Sequence, residues 1–184
     1  MAVELIGAKL VAPYYGNSLY VWSAVLAITL GGLAAGYFAG GTLSEKSSNR
    51  ETLFIIVALT AVLIAFMPAT SGFILSTTLH MELRLGITLS CLVFLFPPLM
   101  LCGMVSPMII RLLTTELENT GRTAGTVYAI STIGGILFTF SMGFYFIPYV
   151  GLKLSSLYTA IVLGIFPLIF FAGKMLNRNQ RIAE

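Results

Sequence analysis

The sequence predicts an all-α fold, a polytopic membrane helix bundle of six helices with a short first one, and three observations carry that prediction. Hydrophobic residues make up 58% of the 184 positions and charged ones only 9%. The mean hydropathy of +0.96 lies far outside the range of a water-soluble globular domain. Several apolar stretches reach the roughly 20 residues with which a helix crosses about 30 Å of hydrocarbon, and the period-two alternation of a membrane barrel is absent. The expectation is one transmembrane domain over residues 1–184, without a soluble domain.

The elements follow from the punctuation of the apolar runs. Residues 1–13 form a short apolar helix closed by "PYYGN", and residues 18–41 a full one closed by "SEKSSNRE". A third runs over residues 52–68 to Pro68, and a fourth, residues 86–113, ends at "ELENTGR". The fifth, residues 125–148, ends at "PYVGLK", and the sixth covers residues 154–173. Residues 70–85 mix hydroxyl, charged and apolar side chains too closely for a span, and are expected to lie along the interface.

Charge sets the orientation. With the N-terminus inside, Lys46, Arg50, Arg111, Arg122, Lys174, Arg178 and Arg181 fall on the cytoplasmic side, against Lys9, Arg84 and Lys153 outside. Tyr14, Tyr15, Tyr20 and Trp22 then gather at the outer interface with Tyr145 and Tyr149, where amphipathic rings settle. Both termini are expected in the cytoplasm and the chain in the cell (inner) membrane. The net charge of +3 follows from this topology and gives no nucleic-acid surface.

Small residues mark the packing faces. Gly32, Gly36 and Gly40 recur every fourth residue and line one stripe of the second helix, with Gly31, Ala35 and Ala39 beside it. In lipid, helices associate through close backbone approach, because greasy side chains gain little by leaving acyl chains. Ser131, Gly135, Thr139 and Gly143 repeat the pattern more weakly on the fifth helix.

Candidates for chemistry are few. Cys91 and Cys102 share one helix without a CxxC pair, His80 stands alone in an outer loop, and no metal site is expected. A P-loop, a dinucleotide fingerprint, a nucleophile elbow and an HExxH motif are all missing, so neither catalytic residues nor a cofactor are expected. The first stretch, interrupted by Glu4 and Lys9, lacks the basic leader and cleavage site of a signal peptide. Glu4 would sit on the order of 13 Å below the outer end of its helix, where a carboxylate needs a cation, a proton or water, and Glu4 with Lys9 forms the candidate substrate or proton site. Pro97, Pro98 and Pro107 remove backbone donors from the fourth helix. Arg111, one turn beyond Pro107, is within reach of Glu45, Glu116 or Glu118.

The loop "GTLSEKSSNR", residues 41–50, resembles the loop signature of major facilitator transporters: Gly41, Glu45, Lys46 and Arg50 fit, with glutamate for the usual aspartate, while Ser48 and Asn49 depart from it. A carboxylate there can face a helix dipole and pair with a base, a cytoplasmic latch completed by Arg111.

Taken with "ELIGAKLVAPYYGNSLYVWSAVLAITLGGLAAGYFAGGTLSEK", "GMVSPMIIRLL" and "GRTAGTVYAISTIGGILFTFSMGFYFIPYVGLK", in that order over most of the chain, the sequence resembles the membrane domain of the fused major-facilitator-like spermidine synthase family. That resemblance implies half of a transporter bundle whose cytoplasmic C-terminus ordinarily carries an aminopropyltransferase-like domain, which is not expected within residues 1–184. It implies a non-catalytic module that scaffolds or anchors a partner, a spermidine-synthase-like subunit or a larger membrane complex. The alternative is a dimeric polyamine or organic-cation transporter. Membrane lipid and a homo-oligomeric or hetero-oligomeric partner are the expected contacts.

Overall fold

The computed structural model describes residues 1–46, 49–114 and 120–183, with side chains through residue 176. The described residues form seven α-helices and a π-helical segment: α1 (Ala2–Tyr15), α2 (Leu19–Lys46), α3 (Arg50–Thr78), α4 (Leu83–Phe94), α5 (Phe96–Leu113), α6 (Thr120–Ser141), the π segment (Met142–Val150) and α7 (Leu152–Ala183). Five stretches are long and apolar enough to cross a membrane: α2, α3, α5, α6 with its π continuation, and α7 as far as Leu176. This is the architecture of a multi-pass membrane protein.

Helix α1 covers 14 residues, about 21 Å at 1.5 Å per residue. It stops where Gly16 takes a φ of 75° and its N–H donates to the Ala12 carbonyl at 2.9 Å. A side chain would strain that left-handed backbone, so the turn into α2 requires glycine. Helix α2 continues through Gly41 to Lys46, further than its apolar run indicates.

Two expectations are corrected. Helix α3 does not end at Pro68, and residues 70–78 do not form a separate segment after it: they complete a helix of 29 residues. Proline at 68 cannot donate to the Ile64 carbonyl, and Ser156 of α7 fills that vacancy by donating its hydroxyl to the same oxygen. The polar residues beyond it satisfy themselves. Thr70, Ser71, Ser76, Thr77 and Thr78 all donate to carbonyls three or four residues back, which removes the polarity that argued against a span.

The other correction concerns the fourth helix, which is two pieces, α4 and α5, meeting at Leu95. Pro97 and Pro98 begin α5 without N–H groups for the Val93 and Phe94 carbonyls, so the ladder is interrupted there. Pro107 stays inside α5 without ending it.

The α2–α5 pair makes the most extensive helix contact, followed by α3–α7. The core lies where α1, α3 and the α4–α5 break meet: Val11, Ile64, Met67, Leu75, Leu95 and Leu99 are almost fully buried. Gly7 lets α1 settle on the break, since a Cβ there would stand 2.7 Å from Leu95 Cδ1. In contrast, α6 contributes no buried residue, and its π continuation buries only Met142. Phe146 stacks on Tyr158 at 4.5 Å and ties the π segment to α7.

Candidate functional site

The glycine stripe of α2 is consumed inside the chain. A Cβ on Gly36 would stand 2.1 Å from the Met100 carbonyl oxygen, and one on Gly40 would stand 2.6 Å from Met104 Cα. Gly32 is similarly close to Leu99 Cβ, at 3.2 Å, and Gly103 of α5 meets the Leu33 carbonyl at 2.7 Å from the other side. The backbones of α2 and α5 therefore touch along three turns, the close approach that stabilises helix pairs in lipid. The neighbouring stripe is different. Gly31 is exposed and nothing stands within 4 Å of where its Cβ would be.

The stripe on α6 faces α1 over part of its length. A Cβ on Gly135 would be 3.7 Å from Met1 Cγ and one on Gly143 would be 3.5 Å from Leu5 Cδ2. Below the start of α1 a cleft of about 410 Å³ opens between α2, α5 and α6. Ser131, Gly135 and Thr139 line it from α6, Tyr37 from α2 and Ser106 from α5.

Glu4 is partly buried on α1 and Lys9 is exposed, and no ion pair joins them or engages either one among the described residues. At 100° per residue, positions 4 and 9 project about 140° apart on one helix, which explains their separation.

Around the latch residues the structure places charge otherwise than the loop signature implies. Glu45, Lys46, Arg50 and Arg111 are all exposed and Gly41 is partly buried, and no ion pair links them among the described residues. Glu116 and Glu118, offered as partners for Arg111, lie outside the described residues. Among the described residues an ion pair joins Glu51, in the first turn of α3, to Lys174 of α7, with both side chains about half exposed. Beside it Phe54 stacks on Phe170 with ring centroids 4.2 Å apart, and Arg50 lines a shallow cavity over them.

Comparison with models of known families, with curated proteins and with solved structures finds no match to this chain.

Side-chain groupings that the sequence reading missed gather at the opposite end. Tyr15 donates to Thr78 Oγ1 at 3.0 Å, and Thr78 Oγ1 lies 2.7 Å from Ser90 Oγ, a buried chain of hydroxyls joining α1, α3 and α4. Gly86 makes room for it, since a Cβ there would meet Tyr15 Oη at 2.5 Å. Arg84 stands over the Tyr20 ring, 5.1 Å from its centroid, and pins the start of α4 to the start of α2. The Tyr15–Thr78 bond in that chain joins residues 63 positions apart, a separation that carries no local periodicity. His80 is exposed, and no group of three metal-ligating side chains occurs among the described residues.

Proposed function

We propose that the chain is a non-catalytic integral membrane module that scaffolds or anchors a partner protein, with both termini on the cytoplasmic side of the inner membrane. The observation that supports this is the open face of α6. Gly121, Gly125, Ala129 and Thr132 follow at helical spacing, all exposed, and none of the described residues stands within 4 Å of a Cβ at Gly121 or Gly125. Glycine inside a helix costs roughly 1 kcal/mol relative to alanine. At Gly36 the approach of α5 explains that cost, whereas at Gly125 no neighbour among the described residues does. A helix of another subunit lying along α6 accounts for it by the same close packing. The resemblance makes a spermidine-synthase-like subunit the first partner to test.

Native mass spectrometry of gently solubilised membranes tests the proposal. The expected result is a complex of defined stoichiometry that Gly125→Leu dissociates while the helix content is retained. The native chain appearing alone with lipid only would overturn it.

A second reading, transport of a polyamine or organic cation by a dimer, is favoured by Glu4, a partly buried carboxylate on an apolar helix without a cationic partner among the described residues. Uptake of labelled putrescine or spermidine into vesicles, absent with both the native chain and Glu4→Gln, would remove that reading.

A further inference from the structure

Most serine and threonine hydroxyls in this bundle are accounted for by its own helices. Thr60, Thr70, Ser76, Thr88, Thr126 and Ser141 each donate to a carbonyl three or four residues back. The cleft between α2, α5 and α6 breaks that pattern. Ser106, Ser131, Thr132 and Thr139 line it, and none of them makes a hydrogen bond among the described residues. Thr139 Oγ1 is buried and unpaired. The hydroxyls of Tyr37 and Tyr128, on two of the same helices, border the cleft and are unpaired as well. Unpaired hydroxyls elsewhere, such as those of Thr29 and Thr120, are not gathered in this way.

Six residues with unpaired hydroxyls, from three helices, line this one cleft, and their groups limit the chemistry of what fits there. None of the lining side chains is Asp, Glu, Lys, Arg or His, so a cation entering the cleft would lose hydration without meeting a carboxylate, and the backbone amine of Met1, which also lines the cleft, would repel it. Each lining hydroxyl both donates and accepts, and the matching groups are those that do the same. Leu33, Ile136 and Phe140 supply an apolar wall for carbon–hydrogen faces. Leu33 lies thirteen residues before Lys46 on α2, about 20 Å along the helix, which places the cleft at membrane depth. Its volume of about 410 Å³ falls in the usual range of small-molecule sites, roughly 300–1,000 Å³.

We infer that this cleft is a binding site for an uncharged polyol, either the glycerol portion of a neutral lipid or a free sugar alcohol. The inference stands independently of any partner on α6 and of cation transport at Glu4. It names a different ligand class and, apart from Thr132, a different set of residues.

The test is retention of added probes by the purified full-length chain, measured by native mass spectrometry over a concentration series. The probes are a short-chain diacylglycerol, sorbitol, and, as charged comparators, phosphatidic acid and spermidine. Retention of diacylglycerol assigns the site to a lipid, and retention of sorbitol to a soluble polyol. In either case the double variant Ser131→Ala/Thr139→Ala should weaken retention roughly tenfold. Ser131→Thr/Thr139→Ser should restore it, and Ser76→Ala, which removes a hydroxyl bonded to its own helix, should leave it unchanged. If the alanine pair does not fold, Gly135→Leu decides instead by filling the cleft from a position with nothing closer than 3.7 Å. Binding of neither neutral probe, equal binding by the variants that remove hydroxyls or fill the cleft, or equal retention of the charged comparators would overturn the inference.

Discussion

Replacing Ser156 by alanine removes the donor that lets α3 pass through Pro68. Ser156 is fully buried, Ile64 is 1% exposed, and water therefore does not replace the lost hydroxyl. An unsatisfied buried acceptor costs about 1–3 kcal/mol in general, and interhelical bonds in membranes average about 0.6 with a maximum near 1.7 kcal/mol. A loss of about 1–2 kcal/mol is expected for Ser156→Ala. Ser155 is the internal control. It is equally buried, but its hydroxyl donates to the Gly151 carbonyl, which also accepts the Ser155 N–H at 3.0 Å. That carbonyl keeps a partner in Ser155→Ala, so the loss there should stay at or below about 0.5 kcal/mol. The decisive variant is Pro68→Ala, which returns an N–H to the position from which the Ile64 carbonyl is normally satisfied. In that background Ser156→Ala should cost little, giving a coupling of about 1 kcal/mol in a double-mutant cycle. Unfolding free energies from titration of mixed micelles with dodecyl sulfate, followed by circular dichroism, measure all four corners. Equal losses in the two backgrounds, or equal losses for Ser155→Ala and Ser156→Ala, would refute the reasoning.

Two further substitutions separate packing from surface effects. Gly36→Ala, which drives a Cβ into the Met100 carbonyl, should destabilise by about 2–3 kcal/mol, whereas Gly31→Ala, with open space around it, should be neutral or stabilising by up to about 1 kcal/mol, both read from the same unfolding titration. Glu51→Gln should change stability by less than about 1 kcal/mol, because the pair with Lys174 is half exposed, and the small difference should shrink when unfolding is repeated at high salt.

Particular residues show which parts of this arrangement are written locally. The i, i+4 glycines at 32, 36 and 40 announce a close helix contact from spacing alone, because a four-residue step returns to the same face. Nothing in that spacing says the contact is α5 of the same chain, since Gly103 and Met100 meet the stripe only when the backbone folds back over sixty positions. The prolines at 97 and 98 likewise mark a disturbed ladder, but Pro68 and Pro107 carry the same chemical mark and lie inside continuous helices. The difference at Pro68 is Ser156, 92 residues from the carbonyl it satisfies. Glu51 and Lys174, 123 residues apart, are equally invisible from the loop motif that directs attention to Glu45 and Arg111.

The sequence by itself determined that this chain is helical and crosses a bilayer several times, because apolar length and the obligation to satisfy backbone groups in hydrocarbon leave no other solution. The tertiary structure alone decided which glycines are filled by neighbours and which stay open, how a proline in α3 is bridged, and where unpaired hydroxyls collect. Those outcomes depend on distances between helices remote in the chain, and such distances exist only once the helices have packed.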